Sequence, residues 1–307
     1  MRDTFARRLA ELAGKDDRII FITGDLGFGV FEQFQREFPS QYLNAGVAEQ
    51  NMIALASGLA LEGRIVFAYS IGNFPVLRCL EQIRNDAAYH DANVKVVSIG
   101  GGFSYGSLGV SHHATEDIAV MRAIPNVQAF TPGTLSDVVN SVDELVATGG
   151  TGYLRLDKSQ GADTEGAGPF RSGAWRIMSE GSDVTLVACG GILGEAQGAA
   201  RLLEAGGISA RVVDATQVSG IGPEAVRRAL GVAPMVVTME EHVTRGGLAG
   251  LVAEVMATSA MPAVLRPRGI DGGFMSEVGS QAYLRTRVGL DAATTAAFVQ
   301  AELGDWA

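Results

Sequence analysis

The sequence predicts an α/β protein of two domains, each with a mostly parallel sheet and helices on both faces. Strand-like runs alternate with helix-like runs along nearly the whole chain, which is the order of elements in parallel sheets. A chain of 307 residues is also long enough for two hydrophobic cores. Many of the 40 glycines lie where these runs meet, at positions that need tight turns.

The first domain is predicted to span residues 1–158. Its strand-like runs are Arg18–Thr23, Arg64–Tyr69, Val94–Ile99, Val127–Phe130 and Gly152–Leu156. The helical segments between them are Arg2–Ala13, Ala48–Leu61, Asn73–Tyr89, Thr115–Ala123 and Thr134–Thr148. The second helix has the clearest pattern, because Met52, Leu55, Ala56 and Leu59 are spaced as one buried helical face.

Residues 159–172 are polar and rich in glycine, and they are predicted to form a linker. The alternation resumes in residues 173–307, the predicted second domain. Its strand-like runs are Asp183–Ala188, Ser209–Asp214 and Met235–Met239. Helices are predicted up to about Ala205 and at Glu224–Leu230, Leu248–Ser259 and Ala292–Leu303.

The composition argues against several classes of function. A net charge of −10 without a basic cluster is unsuited to nucleic acid. No apolar run approaches the roughly 18–20 residues of a membrane-spanning helix. The first residues lack the apolar segment of a secretory signal, and Cys79 and Cys189 form no CxxC motif. A cytoplasmic location is therefore expected.

Glu49 is the one charged residue between Asn44 and Leu61. It is predicted in the first turn of a helix that follows the carboxyl end of a parallel strand. Ligands of open α/β sheets bind at that edge. An acid there can simply interact with the helix dipole, which is worth about 0.3–1 kcal/mol, or it can belong to a functional site.

Several motifs resemble those of one enzyme family. They are Gly24–Leu26 (GDL), Asn44–Met52 (NAGVAEQNM), Leu80–Asn85 (LEQIRN), Ser111–Asn126 (SHHATEDIAVMRAIPN), Tyr153–Leu156 (YLRL), Glu240–His242 (EEH) and Gly246–Leu248 (GGL). Together they resemble the C-terminal half of transketolases, which are thiamine-diphosphate enzymes. The resemblance implies a pyrimidine-binding domain followed by the family's C-terminal domain. It also implies transfer of a two-carbon ketol unit from a ketose or ketose phosphate to an aldehyde.

The resemblance assigns cofactor-binding roles to four residues. It implies that Glu49 hydrogen-bonds the ring nitrogen N1′ of the aminopyrimidine and shares a proton there. Phe74 stands where the family has an aromatic ring against the pyrimidine, and Asp25 matches an acid near the cofactor. Ile71 occupies another position that is usually aromatic, so the sequence departs from the family pattern there.

The resemblance also implies the substrate site. His112 matches a histidine that hydrogen-bonds hydroxyl groups of substrate and intermediate. Arg2 and Lys158 align with phosphate-binding arginines, although lysine matches a bidentate phosphate site less well. Gly100 and Leu108 stand where a histidine and an aspartate commonly line the acceptor channel. These two departures make an ordinary pentose-phosphate acceptor doubtful.

The sequence has no GDG motif, through which the family binds Mg²⁺ and the diphosphate. The resemblance therefore implies a separate partner chain, similar to the N-terminal half of transketolase, that carries this motif. The sequence begins directly at the pyrimidine domain, as is typical of a split transketolase. A homodimer of this chain within an α2β2 heterotetramer is expected. No metal site is predicted in this chain, since the adjacent His112 and His113 point apart.

Two alternatives remain open. One is the β chain of a carboligase that decarboxylates 2-oxoacids, including chemistry similar to deoxyxylulose-phosphate synthase, which the departures at Gly100 and Leu108 keep possible. The other is a non-catalytic homologue kept as a scaffold. The retained Glu49 argues against a scaffold, because a buried carboxyl without a partner is costly.

Overall fold

The computed structural model describes residues 1–271 and 273–304, and it contains two sheets. The strands of the first sheet are β1 (Ile19–Thr23), β2 (Tyr42–Asn44), β3 (Ile65–Ile71), β4 (Val94–Ile99), β5 (Val127–Phe130) and β6 (Thr151–Leu156). They lie in the order β2-β1-β3-β4-β6-β5 and all pair in parallel. Parallel strands need crossover connections, and the helices of this domain supply most of them.

Helices cover both faces of the first sheet. They are α1 (Arg2–Ala13), α2 (Glu32–Glu37), α3 (Glu49–Leu61), α4 (Leu80–Gln82), α5 (Asp117–Ala123) and α6 (Leu135–Ala147). Alternate residues of β1 point to opposite faces, as in any strand. Ile20 and Ile22 share a core with α3 and α5, whereas Ile19 and Phe21 share one with α1 and α6.

The second sheet has four parallel strands and one antiparallel edge strand. Its strands are β7 (Arg176–Ser179), β8 (Val184–Ala188), β9 (Ala210–Asp214), β10 (Met235–Val243) and β11 (Val264–Ile270), in the order β11-β10-β8-β9-β7. Only β7 runs antiparallel, beside β9. Its helices are α7 (Leu193–Ala205), α8 (Pro223–Leu230), α9 (Leu248–Thr258), α10 (Gln281–Arg287) and α11 (Ala292–Gly304).

These two sheets confirm the predicted fold class. The described residues 157–175 form turns and extended backbone without a strand or helix. The boundaries of the domains and of the linker stay predictions.

The helix predicted over Asn73–Tyr89 is wrong in its first half. Residues 72–79 form consecutive turns, and regular helix begins only at α4, which a π-helical turn (Ile83–Ala88) continues. Pro75 explains the difference, because proline lacks a backbone N–H and disfavours helical backbone at the preceding Phe74.

The two domains share one hydrophobic core. Val187 of β8 and Val213 of β9 belong to the same buried cluster as Ile118 of α5 and Ala129 of β5. The Trp175 indole N–H donates to the carbonyl of Gln217 at 2.7 Å, which ties the segment before β7 to the loop after β9. The two domains are therefore joined by a continuous apolar contact that includes both strands and helices.

Arg155 of β6 is a buried cation at the contact between the domains. Its guanidinium is fully buried, and Nε lies 3.0 Å from the Asp117 carboxylate at the start of α5. Its Nη2 donates to the carbonyl oxygens of Ala114, at 3.1 Å, and Glu241, at 3.0 Å. Arg155 thus connects β6, the segment before α5 and β10 of the second sheet.

We expect Arg155→Met to destabilise the chain strongly. The substitution leaves the buried Asp117 carboxylate without its cation, and breaking a buried pair in this way costs about 3–5 kcal/mol. The measurement is the free energy of unfolding in urea. Arg227→Met is the matched control, since Arg227 forms an exposed pair with Glu224 and its loss should leave stability unchanged. Equal stability of the two variants would show that Arg155 is not essential to the domain contact.

Candidate active site

The candidate site lies at the carboxyl edge of the first sheet. Strand β1 lies between β2 and β3 in the sheet, so the next two strands of the chain are placed on opposite sides of it. This arrangement is a topological switch point. Such points form the ligand crevices of open α/β sheets. The segments after β1, β2, β3 and β4 all meet at this edge.

Glu49 lies in the first turn of α3, as predicted; it is the first residue of that helix and is only 3% exposed. The turn before the helix uses Gly46 at φ +71°, and the Asn44 side-chain oxygen accepts from the Gly46 N–H at 2.9 Å. Glu49 packs against the backbone of Gly24, where a Cβ would lie 3.7 Å both from Glu49 Cγ and from the Met52 sulfur. The Glu49 side chain is therefore almost fully shielded from solvent, between the Gly24 backbone and the start of its own helix.

Arg78 is a site residue that the sequence did not predict. Its Nη1 donates to Glu49 Oε2 at 2.7 Å, and its guanidinium carbon lies 5.1 Å from the centroid of the Phe74 ring. The Arg78 side chain is half-exposed, whereas that of Glu49 is buried. The two residues are 29 positions apart in the chain, so no local sequence pattern predicts that they form a pair.

Phe74 and His112 meet beside this pair. Their rings make an edge-to-face contact with centroids 5.2 Å apart. The Ser111 hydroxyl lies 3.0 Å from His112 Nδ1. The structure therefore brings together Glu49, Phe74 and His112, three of the residues that the resemblance selected.

Cys79 is close to the site but is not a nucleophile. Burial raises the pKa of the Cys79 thiol to about 12, and the nearby charge of Glu49 acts in the same direction. The thiolate is the reactive form of cysteine. At neutral pH this residue is a protonated, buried thiol.

Asp25 and Ile71 flank the pocket in different ways. Asp25 has a left-handed backbone, with φ +61°, and its Oδ1 accepts from the Asn44 side-chain amide at 2.8 Å. This bond ties the segment after β1 to the end of β2. Ile71 is the last residue of β3, and it is half-buried against the core on the α1 face.

Arg2 and Lys158 line one cavity of about 440 Å³ together with Tyr105. The Lys158 Nζ lies 3.8 Å from the centroid of the Tyr105 ring, a cation–π contact. Burial, and then the charge of Arg2, lower the pKa of Lys158. Tyr105 also approaches His112, with ring centroids 6.5 Å apart, so it connects this cavity to the cluster around Phe74.

Gly100 and Leu108 have different surroundings. Gly100 follows β4 with φ +101°, and a Cβ there would lie 2.2 Å from Tyr105 Cε2. Leu108 ends a short 3-10 turn, Gly106–Leu108, and is 54% exposed.

Tyr105 is a second residue near the site that the sequence did not predict. Its position is evident only from its contacts with Lys158 and His112.

Two features are absent from the described part of the chain. In residues 1–271 and 273–304, no three His, Cys, Asp or Glu side chains are grouped so that they could hold a metal ion. Within the same ranges, no helix has the length and apolar character that a membrane crossing requires.

A cavity of about 740 Å³, larger than the one beside Lys158, lies next to α7 and β9 of the second domain and is not lined by Glu49.

Comparison with known families fits this fold and this edge of the sheet. The family profile "Transketolase, pyrimidine binding domain" matches residues 1–162, and "Transketolase, C-terminal domain" matches residues 173–295. The chain belongs to the transketolase family. It corresponds to the C-terminal half of a transketolase, as the motifs predicted, and that prediction is confirmed.

Relatives of the whole chain support this correspondence. A putative transketolase C-terminal section of Methanocaldococcus jannaschii is 36% identical, over 99% of this chain and 96% of the relative. A subunit of the apulose-4-phosphate transketolase of Phocaeicola vulgatus is 33% identical, over 85% of each chain. A solved structure described as "Split gene transketolase, inactive beta4 tetramer" superposes with a TM-score of 0.84 at 33% identity, covering 97% of this chain and 96% of that one.

We expect Arg78→Met to reduce the stability of the chain by about 1 kcal/mol. The loss leaves the buried Glu49 carboxylate without its cation, but solvent screening of the half-exposed arginine limits the cost. The measurement is a double-mutant cycle of urea unfolding with Glu49→Gln. In the Glu49→Gln background, Arg78→Met should lower the free energy of unfolding only slightly, since a neutral amide needs no cationic partner. A coupling free energy of zero would show that the pair contributes nothing.

Proposed function

We propose that this chain is the pyrimidine-binding subunit of a two-chain transketolase that transfers a two-carbon ketol unit from a ketose to an aldehyde. The observation that carries the proposal is the buried Glu49 carboxyl at the switch point of a parallel sheet. Its partner Arg78 lies over the Phe74 ring, which in turn contacts His112. The names of the relatives support ketol transfer as the reaction class.

The residues at this edge suit thiamine diphosphate. Glu49 offers one buried carboxyl, and Phe74 offers an aromatic ring against Arg78, the partner of that carboxyl. When bound, thiamine diphosphate supplies the nucleophilic carbon and the electron sink of ketol transfer. We assign Glu49 to share a proton with the aminopyrimidine, and Asp25, Ile71 and Phe74 to the surrounding contacts.

Arg78 gives Glu49 a defined orientation. It engages Oε2, and Oε1 is the carboxylate oxygen left over for proton sharing. A positioned carboxyl of this type contributes through general acid–base catalysis. Arg78 is accordingly a positioning residue, since it acts through Glu49.

His112 is assigned to the substrate. The Ser111 hydroxyl engages Nδ1, which leaves Nε2 for a substrate hydroxyl. We place Arg2, Gly100, Leu108 and Lys158 around the part of the sugar distant from the reacting carbon. Leu108 cannot accept a hydrogen bond, so a sugar hydroxyl against it would gain no hydrogen-bond partner from this side chain.

A second polypeptide completes the proposed enzyme. It would resemble the N-terminal half of transketolase and bind Mg²⁺ and the diphosphate through a GDG motif, which this sequence lacks. One relative named as a C-terminal section and another named as a single subunit of a transketolase support this division. We propose an α2β2 heterotetramer in the cytoplasm, with this chain paired to its own copy.

The alternative reaction, decarboxylation of a 2-oxoacid, differs from ketol transfer in its donor substrate. A ketose donor transfers its ketol unit and leaves a shorter aldose, whereas pyruvate loses CO₂. An assay of the assembled enzyme with a ketose phosphate and with pyruvate, at equal acceptor concentration, separates the two reactions. Faster turnover with pyruvate would overturn the ketol-transfer proposal.

We expect the chain alone, given thiamine diphosphate and Mg²⁺, to show no ketol transfer, because the diphosphate site lies on the partner. Mixing it with the partner subunit should restore turnover and cofactor binding, which is measured by equilibrium dialysis. Turnover by this chain alone would refute the two-chain proposal. A mixture that neither binds the cofactor nor turns over would favour the scaffold alternative, whereas cofactor binding in the mixture would exclude it.

We expect Glu49→Gln to lower kcat of the assembled enzyme by about 100-fold or more, since general acid–base groups contribute about 10²–10⁴ in rate. Glutamine keeps the volume of glutamate but cannot share a titratable proton. Cofactor affinity should change far less, because the diphosphate contacts lie on the partner. Glu62→Gln is the control, at the exposed far end of the same helix. If kcat of the Glu49→Gln enzyme equals that of this control, Glu49 has no catalytic role and only interacts with the dipole of the helix that it begins.

A further inference from the structure

Residues 102–114 form a closed loop that follows β4, here called the His112 loop. Its two ends pair with each other: the Gly102 N–H donates to the Ala114 carbonyl at 2.8 Å, and the Ala114 N–H donates to the Gly102 carbonyl at 3.0 Å. Between these ends the backbone forms two 3-10 turns, the second of which ends at His112. The position of such a loop depends on the surface against which it packs.

The second domain holds the base of the His112 loop through Glu241 of β10. Glu241 is 1% exposed, and its Oε1 accepts from the Phe103 N–H at 3.1 Å. A Cβ on Gly102 would stand 2.7 Å from the Cβ of Glu241, so only glycine permits this close approach. Glu241 therefore contacts the loop at the point where the chain enters it.

The other carboxylate oxygen of Glu241 is held by α10. Oε2 accepts from Arg285 Nη2 at 2.8 Å and from Gln281 Nε2 at 2.9 Å. A carboxylate can accept on both oxygens, whereas a glutamine has one accepting oxygen and an amide group that only donates. A glutamine at position 241 could therefore satisfy the Phe103 N–H or Arg285, but not both.

Helix α10 also supports the loop by direct packing. A Cβ on Gly106 would lie 2.5 Å from Leu284 Cδ1 and 2.8 Å from the carbonyl oxygen of Gly279. The Phe103 ring is fully buried in a cluster with Leu284. It meets the ring of His113 edge to face, with centroids 5.2 Å apart. A shift of Phe103 would therefore move the residue that directly follows the substrate histidine.

We propose that Glu241 is a positioning residue for the reaction. It fixes the His112 loop against the second domain, so that His112 stands at the correct distance from the substrate. Glu241 acts through His112, because its own oxygens are engaged by Phe103 and by α10. This inference rests on the proposed function, in which His112 binds a substrate hydroxyl.

The first test is hydrogen exchange, measured by mass spectrometry on the full chain without its partner. In Glu241→Gln, the amides of residues 103–113 should exchange about 10-fold faster or more, as expected for the loss of one hydrogen bond to a charged group. Glu240→Gln is the matched control, since Glu240 is a buried neighbour in β10 that accepts from the N–H groups of Leu248 and Ala249 in α9. A loop that exchanges equally fast in the two variants would overturn the inference.

The second test is ketol transfer by the assembled enzyme, at a temperature where both variants are folded. Glu241→Gln should lower kcat/KM by about 10–100-fold, since a misplacement of about 1 Å can cost about 100-fold in rate, and Glu240→Gln should not. In the His112→Ala background, Glu241→Gln should have no further effect on kcat/KM, because a residue that acts through another is not additive with it. Losses that multiply in the double variant would contradict a positioning role.

Gly106→Ala tests the same contact without leaving a buried charge unpaired. Its methyl group should displace the loop from α10 and give the same faster exchange and the same loss of kcat/KM. Gly149→Ala is its control, since a Cβ there would stand in open space before β6. Wild-type behaviour of Gly106→Ala would count against the inference even if Glu241→Gln did not fold. If the assembled wild type transfers no ketol unit while the loop still exchanges faster in Glu241→Gln, the proposed function fails and the hold on the loop stands.

Discussion

The buried guanidinium of Arg155 is the interaction on which the arrangement of this protein depends. A fully buried cation is tolerated only where its charge and its donors find partners. Asp117 balances the charge of Arg155, and the carbonyl oxygens of Ala114 and Glu241 accept from its Nη2. These partners belong to the segment that follows β4 and to the second sheet. The segment that carries Tyr105 and His112 is thereby held between two sheets, although it contains only short turns of helix.

The site itself follows from the strand order. Because every strand of the first sheet runs in the same direction, the residues that follow β1, β2, β3 and β4 gather at one edge. Glu49 is pre-positioned there by the first turn of α3, and Arg78 reaches it from the turns after β3. The carboxyl is therefore isolated from water but not from charge. Its cationic partner Arg78 is half-exposed, so solvent reaches the guanidinium although it does not reach the acid.

Sequence reasoning located the buried strands and the long helices because their patterns are local. Strand β4 and helix α1 begin and end where the patterns predict. It missed three edge strands: the short, mostly exposed β2, the antiparallel β7, and β11, where Pro267 lies inside the strand. Proline is tolerated there because β11 is an edge strand. Glu49 was visible as a lone acid at a helix start, whereas the roles of Arg78 and Tyr105 exist only as contacts between distant segments.

The apolar cluster common to both sheets has a consequence for how the molecule unfolds. Valines of β8 and β9 lie in the same cluster as residues of α5 and β5, so neither domain can open without exposing apolar surface of the other. Each square ångström exposed costs about 25 cal/mol. The two domains are therefore a single cooperative unit, and heat should melt them in one calorimetric transition. Proteolytic release of either half would yield a fragment with an uncovered apolar face rather than an independent domain.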